Sequence, residues 1–138
     1  MASAKTILKG AALVTQGRLG RVLARAQSDI RLENPESLFV TAFVAVLDLK
    51  SGYLEFVNAG HEPAWHRRPG ERSERRSGPG GPPLCVLEEE FVYPISRLAM
   101  RPGEWLLVLS DGVTEATNPA GEFYGAQRLR ESLDALEG

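Results

Sequence analysis

The feature that most restricts the fold is the run Leu38-Phe39-Val40-Thr41-Ala42-Phe43-Val44-Ala45-Val46-Leu47, followed at once by Asp48-Leu49-Lys50-Ser51-Gly52. The run is apolar on both alternating faces and rich in β-branched and aromatic residues, so it reads as a central strand covered on both sides. The next five residues carry turn chemistry, and Tyr53 to Val57 returns as a second strand, which predicts a hairpin. Apolar stretches such as Phe39 to Leu47 fall far short of the roughly 20 residues needed to span a bilayer, so no membrane insertion is expected.

Two helices are expected before this hairpin. From Ala2 to about Thr15 the chain is rich in Ala, Leu and Lys, with Ile7, Leu8 and Ala11 on one stripe, and Gln16-Gly17 interrupts it. Leu19, Val22, Leu23, Ala26 and Ile30 then share one face of a second helix, which ends near Asn34-Pro35 because proline disfavours helical geometry in the residue before it. Residues 1 to 28 hold Lys and Arg but no Asp or Glu, a composition also found in organellar transit peptides. The helical spacing favours a folded segment, with the arginines on the solvated face.

Beyond the hairpin a short strand is expected at Ala64 to Arg67. Residues 68–83 mix Arg68, Arg72, Arg75 and Arg76 with Gly and Pro and read as a mobile surface loop. The alternation of Phe91, Tyr93 and Ile95 suggests a strand that Pro94 pushes to an edge or a bulge. Met100 to Gly103 forms a turn, Trp105 to Leu109 a buried strand, and Asn118 to Gly121 a further turn. A helix from about Ala126 to Leu136 closes the chain. The expectation is a single α+β domain, with a helical segment over 1–34 and an antiparallel sheet with its closing helix over 35–138.

Composition removes several classes of function. The net charge of −2 over 138 residues lacks the positive field that nonspecific nucleic-acid binding requires. Cys85 is the sole cysteine, so there is no internal disulfide, and a reducing, cytoplasmic setting is expected. One Cys and two His do not make the four ligands of a structural zinc site within one chain unless carboxylates contribute.

The sharpest chemical feature is Leu109-Ser110-Asp111-Gly112-Val113-Thr114-Glu115-Ala116. A rigid strand ending on a carboxylate suits a hard cation such as Mg²⁺ or Mn²⁺, yet Asp-Gly after a strand is also one of the commonest turn sequences. His61 in Asn58-Ala59-Gly60-His61 is either an acid, base or ligand, or a hydrogen-bonded turn residue. Cys85 sits in an apolar setting with no cause for a depressed thiol pKa, and Trp65 and Trp105 read as structural. Five arginines between Arg67 and Arg76 are either solvated loop charges or a contact for a phosphoprotein.

Taken together, Leu38 to Phe43, the turn Asp48 to Gly52, Tyr53 to Pro63, Gly81-Pro82-Pro83-Leu84, Pro102-Gly103, Ser110 to Ala116 and Gly121-Glu122-Phe123-Tyr124-Gly125 resemble the bacterial phosphatases related to stage II sporulation protein E. These form a branch of the metal-dependent PPM, or PP2C-type, serine/threonine phosphatases. Met1 to Leu13 resembles the helix after the family's second metal motif. The resemblance implies a PP2C-like antiparallel β-sandwich flanked by helices and two Mn²⁺ or Mg²⁺ ions activating water against a phosphoserine or phosphothreonine. It implies a phosphorylated regulatory protein as substrate, such as an anti-sigma-factor antagonist. Asp111 matches the family's downstream metal-binding aspartate, and Asn58 to His61 match a signature that shapes the sheet.

The first aspartate motif, the glycine-rich segment after it and the last aspartate of the family have no counterpart. The chain has four aspartates, Asp29, Asp48, Asp111 and Asp134, and only Asp111 falls where a metal ligand is needed. A single carboxylate does not hold two divalent cations tightly. The expectation is a piece of a phosphatase domain, inactive by itself, rather than a degenerate member. Its incomplete sheet would expose strand edges that favour a homodimer or an exchange of elements. The alternative is a noncatalytic interaction module that binds a protein through the arginine loop or a sheet edge.

Overall fold

The computed structural model describes residues 4–15, 18–32 and 39–136. In chain order these form α1 (Ala4–Val14), α2 (Leu19–Leu32), β1 (Ala42–Asp48), β2 (Tyr53–Ala59), β3 (Ala64–Arg67), β4 (Glu74–Arg76), β5 (Ser96–Ala99), β6 (Trp105–Leu107), α3 (Asp111–Thr114) and α4 (Gly125–Asp134). The Gln16-Gly17 break and the expected end of the second helix at Asn34-Pro35 lie outside the described residues, as does Leu38 at the head of the first strand. The mixture of helices with antiparallel sheets is the expected α+β class. The chain divides into two compact units, Met1–His61 with Gly78–Ala99, and Glu62–Ser77 with Met100–Gly138.

In the first unit, helical periodicity translates directly into burial. Leu19, Val22, Leu23, Ala26 and Ile30 are all buried, and Val22 and Ala26 pack with Ala11, against Ile7 and Leu8 of α1. Leu19, Leu23 and Ile30 join Ala42, Val57, Ala59, Leu84 and Tyr93 in the main core of the unit. Truncating a residue such as Leu23 to Ala costs about 2–5 kcal/mol in a core of this kind.

The sheet of this unit has the order β1-β2-β5. The hairpin forms as expected, in a register running from Ala42 opposite Ala59 to Asp48 opposite Tyr53. The Gly52 N–H donates to the Asp48 carbonyl at 2.8 Å, the Asp48 carboxylate accepts the N–H groups of Lys50 and Ser51, and Gly52 adopts φ 71. The central strand, however, is β2. Among the described residues β1 has a partner on one side only, and Val46 and Leu47 are 41% and 44% exposed. An unbroken apolar run is compatible with double coverage but does not impose it, because a strand is buried only where other elements meet it. The residues around Phe91, Tyr93 and Ile95 form no strand; β5 begins just after them and pairs Ser96–Ala99 with β2.

The second unit holds the sheet β4-β3-β6. The segment read as a loop over 68–83 contains β4, whose Glu74, Arg75 and Arg76 lie opposite His66, Trp65 and Ala64. Charged side chains concealed this strand, because an edge strand draws its stability from ladder hydrogen bonds and tolerates charge on its side chains. β6 is shorter than the strand expected over Trp105 to Leu109. Trp65, Leu129 and Leu133 form the buried core of the unit, flanked by Trp105, Leu107, Leu109, Val113 and Tyr124. The turn at Asn118 closes through the Gly121 N–H on the Asn118 carbonyl.

Candidate functional site

Asp111 stands at the start of α3, a single helical turn where the sequence suggests an Asp-Gly turn after a strand. The backbone there is anchored from both sides, since Leu109 before it and Val113 after it pack against the Trp65 cluster. The Glu115 N–H and the Thr114 hydroxyl both donate to the Asp111 carbonyl. The carboxylate itself is exposed and takes no hydrogen bond from the described residues. It is therefore a rigidly based acceptor with its oxygens open to a ligand.

A binuclear metal centre requires several such oxygens around each ion. Among the described residues no three His, Cys, Asp or Glu side chains are grouped so as to hold a metal ion. The residues present thus fit one ligand of such a centre and not the centre.

Asn58 and His61 belong to the first unit, where they build a turn. The Asn58 side-chain amide donates to the His61 carbonyl, and its oxygen accepts the His61 N–H, both at 2.7 Å. Between them Gly60 adopts φ 68, and a Cβ at this position would lie 2.7 Å from the Pro83 ring. Gly81 donates its N–H to the Asn58 carbonyl, while Val40 and Leu84 exchange backbone hydrogen bonds. Segments distant in sequence that carried the family resemblance therefore meet in space, and glycine is needed where they touch. Cys85 is half-buried, and burial pushes its thiol pKa up, in keeping with a packing role.

The arginines between 67 and 76 are distributed rather than shared. Arg67 donates to the Leu133 carbonyl at 2.6 Å and to the Leu136 carbonyl, capping the end of α4. Arg68 pairs with Glu71 at 3.2 Å and with Glu104 at 3.5 Å. Arg75 bonds Glu62 at 2.7 Å, and Arg76 donates to Nδ1 of His66.

Sequence reasoning missed the network to which Arg76 belongs. His66 is 2% exposed, and its Nε2 lies 3.0 Å from Oε2 of Glu104, itself 3% exposed. Because guanidinium groups only donate, Nδ1 must accept from Arg76, which leaves Nε2 to carry the proton toward Glu104. Burial acts to raise the Glu104 pKa. The His66 hydrogen bond, the Arg101 backbone N–H and the charge of Arg68 outweigh it and hold the carboxyl below its ordinary value. His66 and Glu104 are far apart in sequence, and no local spacing signals their pairing.

The sequence profile described as Stage II sporulation protein E (SpoIIE) matches residues 1–138. Protein IcfG of Synechocystis is 38% identical over 99 residues, which are 72% of this chain and 15% of that protein. Among solved structures, the phosphatase domain with part of the regulatory domain of SpoIIE from Bacillus subtilis superposes with a TM-score of 0.74 at 17% identity, covering 98% of this chain and 38% of that one. The RsbU and RsbW domains of a Mycobacterium tuberculosis protein give a TM-score of 0.68 at 20% identity, over 83% of this chain and 33% of theirs. The fold is thus that of PP2C-type phosphatase domains, and the chain spans well under half the length of these relatives.

Proposed function

The chain belongs to the Stage II sporulation protein E family, and from that premise we propose that it forms part of a phosphatase domain that hydrolyses phosphoserine or phosphothreonine on a regulatory protein. The observation that carries the reading is the family match along all of residues 1–138. Within it, Asp111 supplies one carboxylate to a Mn²⁺ or Mg²⁺ centre whose other ligands come from outside the described residues. A SpoIIE phosphatase domain from Bacillus subtilis, 14% identical to this chain, was presoaked with Mn, in keeping with that choice of metal. When bound, such ions activate water for attack on phosphorus. The substrate we infer is a phosphorylated protein of the anti-sigma-factor antagonist kind, met in the cytoplasm. Among the described residues no helix is long and apolar enough to cross a membrane.

A second reading is a noncatalytic module that keeps the phosphatase scaffold and binds a protein through the arginines between Arg67 and Arg76 or through a sheet edge. The test is hydrolysis of a phosphoserine peptide with excess Mn²⁺ by this chain, by a version extended in both directions in its reading frame, and by the extended version carrying Asp111→Asn. Activity confined to the extended protein and abolished by Asp111→Asn supports the phosphatase reading. An inert extended protein overturns it in favour of the binding module. Since the Asp111 carboxylate takes no hydrogen bond from the described residues, Asp111→Asn should leave thermal stability within about 0.5 kcal/mol of the parent.

A further inference from the structure

Between the β3–β4 hairpin and one face of α4 lies a groove of about 910 Å³ within the second unit. Arg67, Arg72 and Arg75 line it from the hairpin and Arg130 from the helix, with Glu71, Glu131 and Asp134 among the other lining residues. Asp111 does not line it.

Most of these charges already have partners inside the molecule. Arg67 caps α4, Glu131 accepts from Gln127, and Asp134 accepts the Ser73 N–H at 2.6 Å. That N–H, followed by the nearby Ser73 hydroxyl and the charges of Arg67 and Arg72, holds the Asp134 carboxyl below its ordinary value. Arg72 and Arg130 differ. Both are exposed, and neither makes a hydrogen bond or an ion pair with the described residues. The Arg130 guanidinium carbon lies over the Trp65 ring 5.6 Å from its centre, and that of Arg75 lies 5.9 Å from the same centre, both within cation–π range. Trp65 is buried and fixed by pairing on both edges of its strand. Arg130 bonds to none of the described residues, so its N–H donors remain available, and a guanidinium fork is the group that grips a carboxylate in two-point fashion.

We propose that this groove docks an acidic segment of a protein partner, with Arg72 and Arg130 binding its carboxylates and Arg75 extending the contact at the rim. The volume accommodates a stretch of peptide rather than a lone ion. Docking here needs no chemistry at Asp111, so the inference goes beyond the phosphatase reading and stands or falls apart from it.

The experiment is fluorescence anisotropy of two labelled peptides, one alternating Glu with Ser and one alternating Gln with Ser, titrated with the 138-residue chain in low and moderate salt. The acidic peptide should bind and the neutral one should not. Arg72→Gln and Arg130→Gln should each weaken binding by about tenfold, and added salt should weaken it further. Arg25→Gln, in the other unit, should leave it unchanged. Arg72 bonds to nothing in the described residues, so Arg72→Gln serves even if Arg130→Gln disturbs the fold, with circular dichroism melts reporting which has occurred. Equal binding of both peptides, indifference to Arg72→Gln, or preference for a single-stranded oligonucleotide over the acidic peptide would overturn the proposal. None of these outcomes depends on phosphatase activity.

Discussion

Replacing Glu104 by Ala should be among the most damaging single changes in the second unit, although the residue lies in a turn-rich stretch with nothing unusual in its sequence. The carboxylate is 3% exposed, lies 3.0 Å from Nε2 of His66 and 3.5 Å from Nε of Arg68. Its removal strands the His66 N–H in a site where His66 is 2% exposed. Leaving a buried donor unpaired costs about 1–3 kcal/mol, and the contact with Arg68, which is 41% exposed, adds only about 0–1 kcal/mol. Glu71→Ala is the internal control. Its side chain is 55% exposed and pairs with the same Arg68 at 3.2 Å, so about 0–1 kcal/mol is expected. Urea unfolding, compared at constant slope, measures both. A His66→Leu, Glu104→Leu double variant should lose less than the sum of its single changes, since neither partner is then left unpaired. The sign with pH is also set. The Glu104 pKa is lowered in the fold, so its stabilisation is complete above the ordinary glutamate pKa and is lost as pH falls through the folded value. The gap between the parent and Glu104→Ala should therefore be widest near neutrality and narrow in acid. A gap no larger than that of Glu71→Ala, or one that widens in acid, would refute the reasoning.

Three further outcomes are expected. Gly60→Ala should cost about 2–4 kcal/mol in urea unfolding, because its Cβ would meet the Pro83 ring at 2.7 Å and its φ is 68. Gly70→Ala, at φ 76 with open space around it, should cost only about 1–2 kcal/mol; equal losses would show that the contact with Pro83 carries no energy. Cys85 should alkylate slowly with iodoacetamide at neutral pH, since burial raises its thiol pKa, and urea should accelerate the reaction; a fast reaction in the folded chain would contradict this environment. Arg67→Met keeps the aliphatic stem but frees the carbonyls of Leu133 and Leu136, so the end of α4 should exchange its amide hydrogens faster and stability should fall by about 1–2 kcal/mol.

What the sequence alone determined is what repeats at short range. The stripe Leu19, Val22, Leu23, Ala26 and Ile30 is the buried face of α2, because a fixed helical period puts those side chains on one side wherever the helix docks. The Asp48 to Gly52 turn, β3 and the Asn118 turn follow from local backbone preferences. The ordered motifs also carry the family. Only tertiary structure decided the rest. That β1 has a partner on one side only among the described residues depends on what lies beside it, which hydropathy does not encode. That Arg76 joins His66 and Glu104, while Arg72 and Arg130 face one groove, depends on which distant segments meet. A charged side chain has the same local preferences whether it faces solvent or a buried partner, so its role is legible only once the chain has closed around it.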